Sequence, residues 1–277
     1  MASGKRIICY NEGEKMNYST LLIEKKENIG TITLNRPNIL NALSALAFQE
    51  FIAALHEVDQ DDEIRVVIIT GAGRAFSAGL DLEEAKQGPS EFDLKATPIQ
   101  DSLPWIPQIM RNLKKPIIAA VNGAAAGGGF TIALASDIRI ASEDARLVAP
   151  FLRVGLMPEL GSTYNLPRLV GIAKACEIIF NAKTVTAKEA KEIGLVNEVV
   201  PREELMSFTW KMATEIAQMA PIPLQLSKRA LYQGLDSQLA AQVQFEQMGQ
   251  SACFRTEDYK EGMKAFLEKR KPVFKGK

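Results

Sequence analysis

Apolar positions recur along this chain in two rhythms, and each change of rhythm marks an element. Residues 20–25 and 29–34 are apolar, β-branched runs around Lys26-Glu27-Asn28, with Asn28 and Gly30 at the turn, which predicts a hairpin closed by Asn35-Arg36-Pro37. Ser44 stands at an N-cap position ahead of a helical periodicity that reaches Gln60, and residues 65–70 then read as a buried strand. Strand, helix and strand in that order imply a crossover. A helix over about 102–113 runs into an apolar strand at 116–123, a second βαβ-like unit, and residues 137–141 and 145–148 read as short strands.

Beyond residue 160 the rhythm turns helical. Thr186 caps a helix over 187–193 that Gly194 closes, and after Pro201 about four helical segments are predicted, broken at Pro221, Pro223, Gly234 and Thr256. Residues 82–100 are polar and irregular around Gly88-Pro89-Ser90, in the manner of a surface loop or lid. The chain therefore divides into an N-terminal extension (1–17), an α/β core (18–200) and a helical C-terminal region (201–277).

With 277 residues, 47% of them hydrophobic, one large domain or a domain with an appended lobe can bury a proper core. Lys+Arg 33 against Asp+Glu 33 leaves no net charge, so nothing in the balance points to nucleic acid or an anionic membrane surface. Cys9, Cys176 and Cys253 are scattered, which fits a reducing compartment and neither a zinc site nor a disulfide scaffold. No apolar h-region follows the first residues and no run is long enough to span a bilayer, so a soluble, cytoplasmic protein is expected. His56 is the only histidine and sits in a helical pattern among charged neighbours, which argues against His-dependent triads and multi-His metal centres.

The chemistry concentrates in two glycine turns. Gly127-Gly128-Gly129 lies between the 116–123 strand and the helix-like residues 130–135, and Gly71-Ala72-Gly73 through Gly79-Leu80-Asp81 follows the 65–70 strand. Such a turn leaves N–H groups bare at the positive end of a helix. If the two turns converge, the N–H groups of Leu80 and Gly128 can grip one oxygen as an oxyanion hole. The competing reading of either turn alone is close packing.

Taken together, Leu34-Asn35-Arg36-Pro37, Asn41-Ala42-Leu43, Ala75-Phe76-Ser77-Ala78-Gly79-Leu80-Asp81, Val121-Asn122-Gly123, Gly127-Gly128-Gly129 and Glu268-Lys269-Arg270-Lys271 resemble the crotonase (enoyl-CoA hydratase/isomerase) superfamily in order and spacing. The resemblance implies an α/β spiral of ββα units, a homotrimer or homohexamer built on the C-terminal helices, and an acyl-CoA thioester substrate. It also implies that Leu80 and Gly128 supply the two oxyanion donors. By the same resemblance, Ile39, Leu40, Asn41 and Ala78 flank the CoA, and Phe266 and Lys269 contact its adenine and phosphates, often from a neighbouring subunit; a solvated helix-end charge cluster is the alternative for this last pair. CoA is then a substrate handle, with no cofactor and no metal.

Hydratases of that family use two glutamates, and here their places hold Thr131 and Phe151. Neither side chain transfers protons near pH 7. Glu159, in Met157-Pro158-Glu159-Leu160-Gly161, resembles the position at which isomerase-type members carry a single acid. The resemblance thus implies a Δ3 to Δ2 enoyl-CoA isomerase, with partial burial among Leu156, Met157, Leu160 and Phe151 raising the acid's pKa. The other reading of Glu159 is a carboxylate satisfying the N–H groups of residues 160–163 at a helix start. Phe151 reads as a wall of the acyl pocket or as core, Asp81 as a fixer of the oxyanion turn, and Tyr164 and Arg153 as helix-face packing and surface charge. Two alternatives stay open: another single-carboxylate reaction on a cyclic or aromatic acyl-CoA, and a non-catalytic acyl-CoA-binding homologue.

Overall fold

A computed structural model describes residues 17–86 and 103–277. The N-terminal extension up to residue 16 and most of the 82–100 segment lie outside the described residues.

The hairpin forms as β1 (Leu21–Lys26) and β2 (Ile29–Leu34), antiparallel, with Glu27 and Asn28 in left-handed conformation at the turn. Helix α1 (Ala45–Gln60) is capped by Ser44, whose hydroxyl accepts the Ala47 N–H. Then β3 (Val66–Gly71) and β4 (Ala75–Ser77) lead to a four-residue helix α2 (Leu82–Ala85). The irregular reading of 82–100 is thereby corrected at its start: Asp81 accepts the Glu83 and Glu84 N–H groups and nucleates a turn of helix. Next come α3 (Ile106–Asn112), β5 (Ile117–Val121), β6 (Ala124–Ala126), α4 (Gly128–Ala135), β7 (Ile138–Ser142) and β8 (Arg146–Val148). Three times, a strand is followed after a short turn by a second strand in another sheet: β3 to β4, β5 to β6, β7 to β8. This is the expected spiral of ββα units.

The larger sheet has the order β1-β2-β3-β5-β7-β10 (β10, Glu198–Val200), and the smaller has β4-β6-β8-β9 (β9, Thr184–Thr186). Within the larger sheet every pairing after the hairpin is parallel. Both faces of its central strands β3 and β5 are buried, which explains the unbroken apolar runs in the sequence. Val67, Ile69, Ile117 and Ala119 join the principal core, while Val66, Ile68, Ile118 and Ala120 pack towards α8 (Leu205–Ala217).

Helices α5 (Ser162–Val170), α6 (Ile172–Phe180) and α7 (Ala187–Glu192) precede β10, and Thr186 caps α7 as expected. Helices α9 (Pro221–Gly234), α10 (Leu239–Cys253) and α11 (Glu257–Leu267) complete the described chain. The break expected at Pro223 does not occur. Pro221 opens α9 and Pro223 lies in its first turn, where a missing N–H costs no helical hydrogen bond.

Candidate active site

Two glycine turns meet at the end of the spiral. Gly71 and Gly123 each approach backbone so closely that a β-carbon would lie 2.2 Å from the Ala75 carbonyl oxygen and 2.1 Å from that of Arg74, respectively. Asn122 pins the first turn through its amide, donating to the carbonyls of Gly71 and Gly73. Asn41 does the same from the other side, donating to the Ala72 and Ala75 carbonyls and accepting from Arg36 N–H. The asparagines of the Asn-Ala-Leu and Val-Asn-Gly motifs are thus turn clamps.

The turn at residues 77–81 is fixed by a relay that the sequence reading did not single out. Ser77 Oγ donates to the Asn41 carbonyl (2.8 Å) and accepts the Gly79 N–H (3.1 Å). The main chain of Leu43 brackets Leu80, accepting from Asp81 and donating to Gly79. Asp81 pairs with Arg36 at 2.9 Å as well as capping α2, so it fixes the turn as expected. Among the described residues, the N–H of Leu80 donates to nothing. The N–H of Gly128, the first residue of α4, is equally free, because a helix's first N–H groups have no intrahelical acceptor.

The turn that leads into Leu80 touches the start of α4. Gly79 has φ +87, and a β-carbon on it would lie 3.1 Å from the Gly128 nitrogen. Gly127 (φ 50, ψ −118) occupies backbone space that side chains avoid, and a β-carbon on Gly129 would strike Ser77 at 2.5 Å. The expected partners Ile39, Leu40, Asn41 and Ala78 gather at the same place: Ala78 N–H donates to the Leu40 carbonyl, and Leu40 and Asn41 are both left-handed. No hydrogen bond ties Phe266 or Lys269 to this cluster. Phe266 is 80% exposed near the end of α11, and Lys269 lies just beyond it.

Helix α4 packs against α5, the helix that follows Glu159. The main-chain carbonyl of Glu159, not its carboxylate, meets the start of α5, accepting from Ser162 N–H (3.0 Å) and Ser162 Oγ (2.8 Å). The helix-capping reading of the side chain is therefore set aside: among the described residues the carboxylate has no hydrogen bond or ion pair. The residue is exposed by surface area, yet the protein packed around it desolvates the carboxyl and raises its pKa above the ordinary glutamate value. Its sequence neighbours Leu156 and Met157 are exposed apolar side chains.

Thr131 is fully buried and donates to the Gly128 carbonyl (2.8 Å), while Phe151 is packed into the principal core. Arg153 donates to the Ala182 carbonyl, and Tyr164 to Asp236. A cavity of about 480 Å³ between α3 and α9 is lined by none of the catalytic or CoA-contact candidates. No group of three or more His, Cys, Asp or Glu side chains fit to hold a metal occurs among the described residues. No described helix is long and apolar enough to cross a membrane.

Residues 24–277 match the family model described as enoyl-CoA hydratase/isomerase. The short-chain-enoyl-CoA hydratase of Clostridium acetobutylicum is 40% identical over 257 residues, 92% of this chain and 97% of its own. The 2,3-dehydroadipyl-CoA hydratase of Escherichia coli is 36% identical, covering 94% of this chain and all of its own. The crystal structure of an enoyl-CoA hydratase from Bacillus anthracis superposes with a TM-score of 0.88 at 35% identity, covering 94% of this chain and 100% of that one.

Proposed function

The chain belongs to the enoyl-CoA hydratase/isomerase family, and from that premise we propose that it is an acyl-CoA isomerase moving a double bond from the Δ3 to the Δ2 position. The thioester oxygen sits between the N–H groups of Leu80 and Gly128. Ionised Glu159 removes a proton from C2, and the electron pair spreads onto the thioester oxygen, where each donor lowers the barrier by roughly 3–4 kcal/mol. Protonated Glu159 then returns the proton at C4, leaving the double bond between C2 and C3. Protons balance and nothing is oxidised, so the reaction needs no cofactor.

One observation carries this reading: a carboxyl of raised pKa with no partner among the described residues, in a chain whose two hydratase positions are a buried threonine and a core phenylalanine. A higher pKa makes a carboxylate a stronger base towards carbon. The CoA runs past the backbone of Ile39, Leu40, Asn41 and Ala78, with Phe151 behind the acyl end and Phe266 and Lys269 reaching over from a neighbouring subunit of a homotrimer or homohexamer. We assign the protein to the cytoplasm, in keeping with free thiols at Cys176 and Cys253.

The names of the relatives favour a second reading, hydration of 2-enoyl-CoA. Following 3-enoyl-CoA and 2-enoyl-CoA side by side, in wild type and Glu159→Gln, separates the two. Isomerisation lost in the variant, with CoA-ester binding kept, supports the first reading; undiminished turnover removes Glu159 from it.

A further inference from the structure

Among the described residues the Glu159 carboxylate has no hydrogen-bond partner, so its backbone aims it, and the backbone just after it, at Leu160, is strained. Leu160, a non-glycine residue, has φ +49, and Gly161 after it has φ +67. Consecutive left-handed residues persist only where the surroundings hold them. Two of the holds are local: Leu160 is buried, and Ser162 binds the Glu159 carbonyl.

The third comes from another helix. The Arg111 guanidinium on α3 lies 4.7 Å from the ring centroid of Tyr164 on α5 and 4.5 Å from that of Tyr232 on α9, and donates to Asn165 Oδ1 at 2.9 Å; Arg168 covers the Tyr164 ring as well, at 3.5 Å, and the Tyr164 hydroxyl donates to Asp236. Tyr164 and Asn165 both donate their N–H groups to the Gly161 carbonyl, so this grip falls on the turn that carries the acid. Tyr232 is itself fixed, its hydroxyl donating to Asp137 at 2.6 Å. Arginine suits the place because a flat cation can lie against aromatic rings while its N–H groups remain free to bond in plane.

We propose that Arg111 is the positioning residue for Glu159, holding the strained turn through its contacts with Tyr164, Asn165 and Tyr232; the proposal rests on the isomerase reading. In Arg111→Met the turn relaxes and the carboxyl moves away from the protein packed around it. The expected result is a kcat for 3-enoyl-CoA at least tenfold lower, a KM within twofold of wild type, and an acid limb of the pH–rate profile displaced towards the ordinary glutamate pKa. A purely structural role would leave that limb in place. If Arg111→Met does not fold, Tyr164→Phe and Tyr164→Leu decide: phenylalanine keeps the stacking face and most of kcat, leucine loses both. Unchanged kcat and acid limb in Arg111→Met, or equal losses in the two Tyr164 variants, overturn the proposal while Glu159→Gln is inactive. A Glu159→Gln enzyme that still turns over takes down the isomerase reading and this role together.

Discussion

Gly79 stands against the amide of Gly128, with room for a hydrogen but not for a methyl group. A β-carbon at 79 would lie 2.6 Å from the Ala126 carbonyl oxygen and 3.1 Å from the Gly128 nitrogen, at a φ of +87 that side chains avoid. Gly79→Ala must therefore part the two turns or twist one of them. The expected loss in kcat/KM is about 100-fold, the scale of one misplaced oxyanion donor, with a folded protein of lower melting temperature by circular dichroism. Wild-type turnover in that variant would show that the two amides do not act together.

The raised pKa of Glu159 makes stability and activity respond to pH in opposite directions. Between the ordinary glutamate pKa and the higher native value, the folded protein holds a proton that the unfolded chain has released. Stability therefore falls as pH rises through that window. Glu159→Gln removes this part of the slope, so urea midpoints of the two proteins should separate as pH rises across it. Activity runs the other way, because the reaction starts from the ionised base: kcat/KM increases through the same window. Parallel urea curves at every pH would contradict the desolvation of this side chain.

Hydration is expected to be minor. Thr131 is fully buried with its hydroxyl spent on the Gly128 carbonyl, and Phe151 is part of the core, so neither place offers water a base or an acid. Turnover of 2-enoyl-CoA to the 3-hydroxy product should be at least about 100-fold slower than isomerisation, taking general acid–base catalysis at its usual minimum. Chromatographic product analysis decides it; comparable rates would restore the reading that the relatives' names favour.

What the sequence made legible is what local chemistry fixes. The hairpin, the Ser44 cap, the crossover strands and the glycine turns each depend on a few neighbouring residues, and all of them appear. Pro223 leaves α9 intact because a proline interrupts a helix only after its first turn. The side chains that hold the site together were out of reach for another reason. Ser77 works through Asn41, 36 residues away, and Arg111 through Asn165, 54 residues away, and nothing periodic marks either pair. Near Glu159 the sequence offers only Gly161, a residue that suits a left-handed turn, and it says nothing of Leu160 at φ +49 or of what restrains it.

Asp137 is the expected weak point of the C-terminal attachment. It pairs with Lys228 at 2.9 Å and accepts the Tyr232 hydroxyl and the Ile117 N–H, while buried Arg139 also feels its charge. Lys228 in turn donates to the Met110 and Lys115 carbonyls, tying α9 to the core. Asp137→Asn removes the ion-pair partner of buried Lys228 and weakens the field that favours buried Arg139, which costs about 3–5 kcal/mol. For a chain of this size that lowers the melting temperature on the order of 10 °C. Adding Lys228→Met should recover part of the loss, since one stranded charge is then gone; a double variant no better than the single would deny the coupling.

Helix α10 has no buried residue in the single chain, although it carries Leu239 (79% exposed) and Met248 (73% exposed). Nine residues apart on a helix, these two point to opposite sides. Contact with α9 cannot cover both, and α11 adds exposed Met263, Phe266 and Leu267 beyond. Apolar surface on this scale fits an interface between copies of the chain. Met248→Glu combined with Leu239→Glu should therefore convert the assembly to monomers in sedimentation velocity without changing the far-ultraviolet spectrum. If Phe266 and Lys269 serve a neighbour's CoA, the monomer should also show a KM for the CoA ester raised about tenfold, roughly 1.4 kcal/mol of lost binding. An unchanged sedimentation coefficient would mean that these two side chains lie outside any interface.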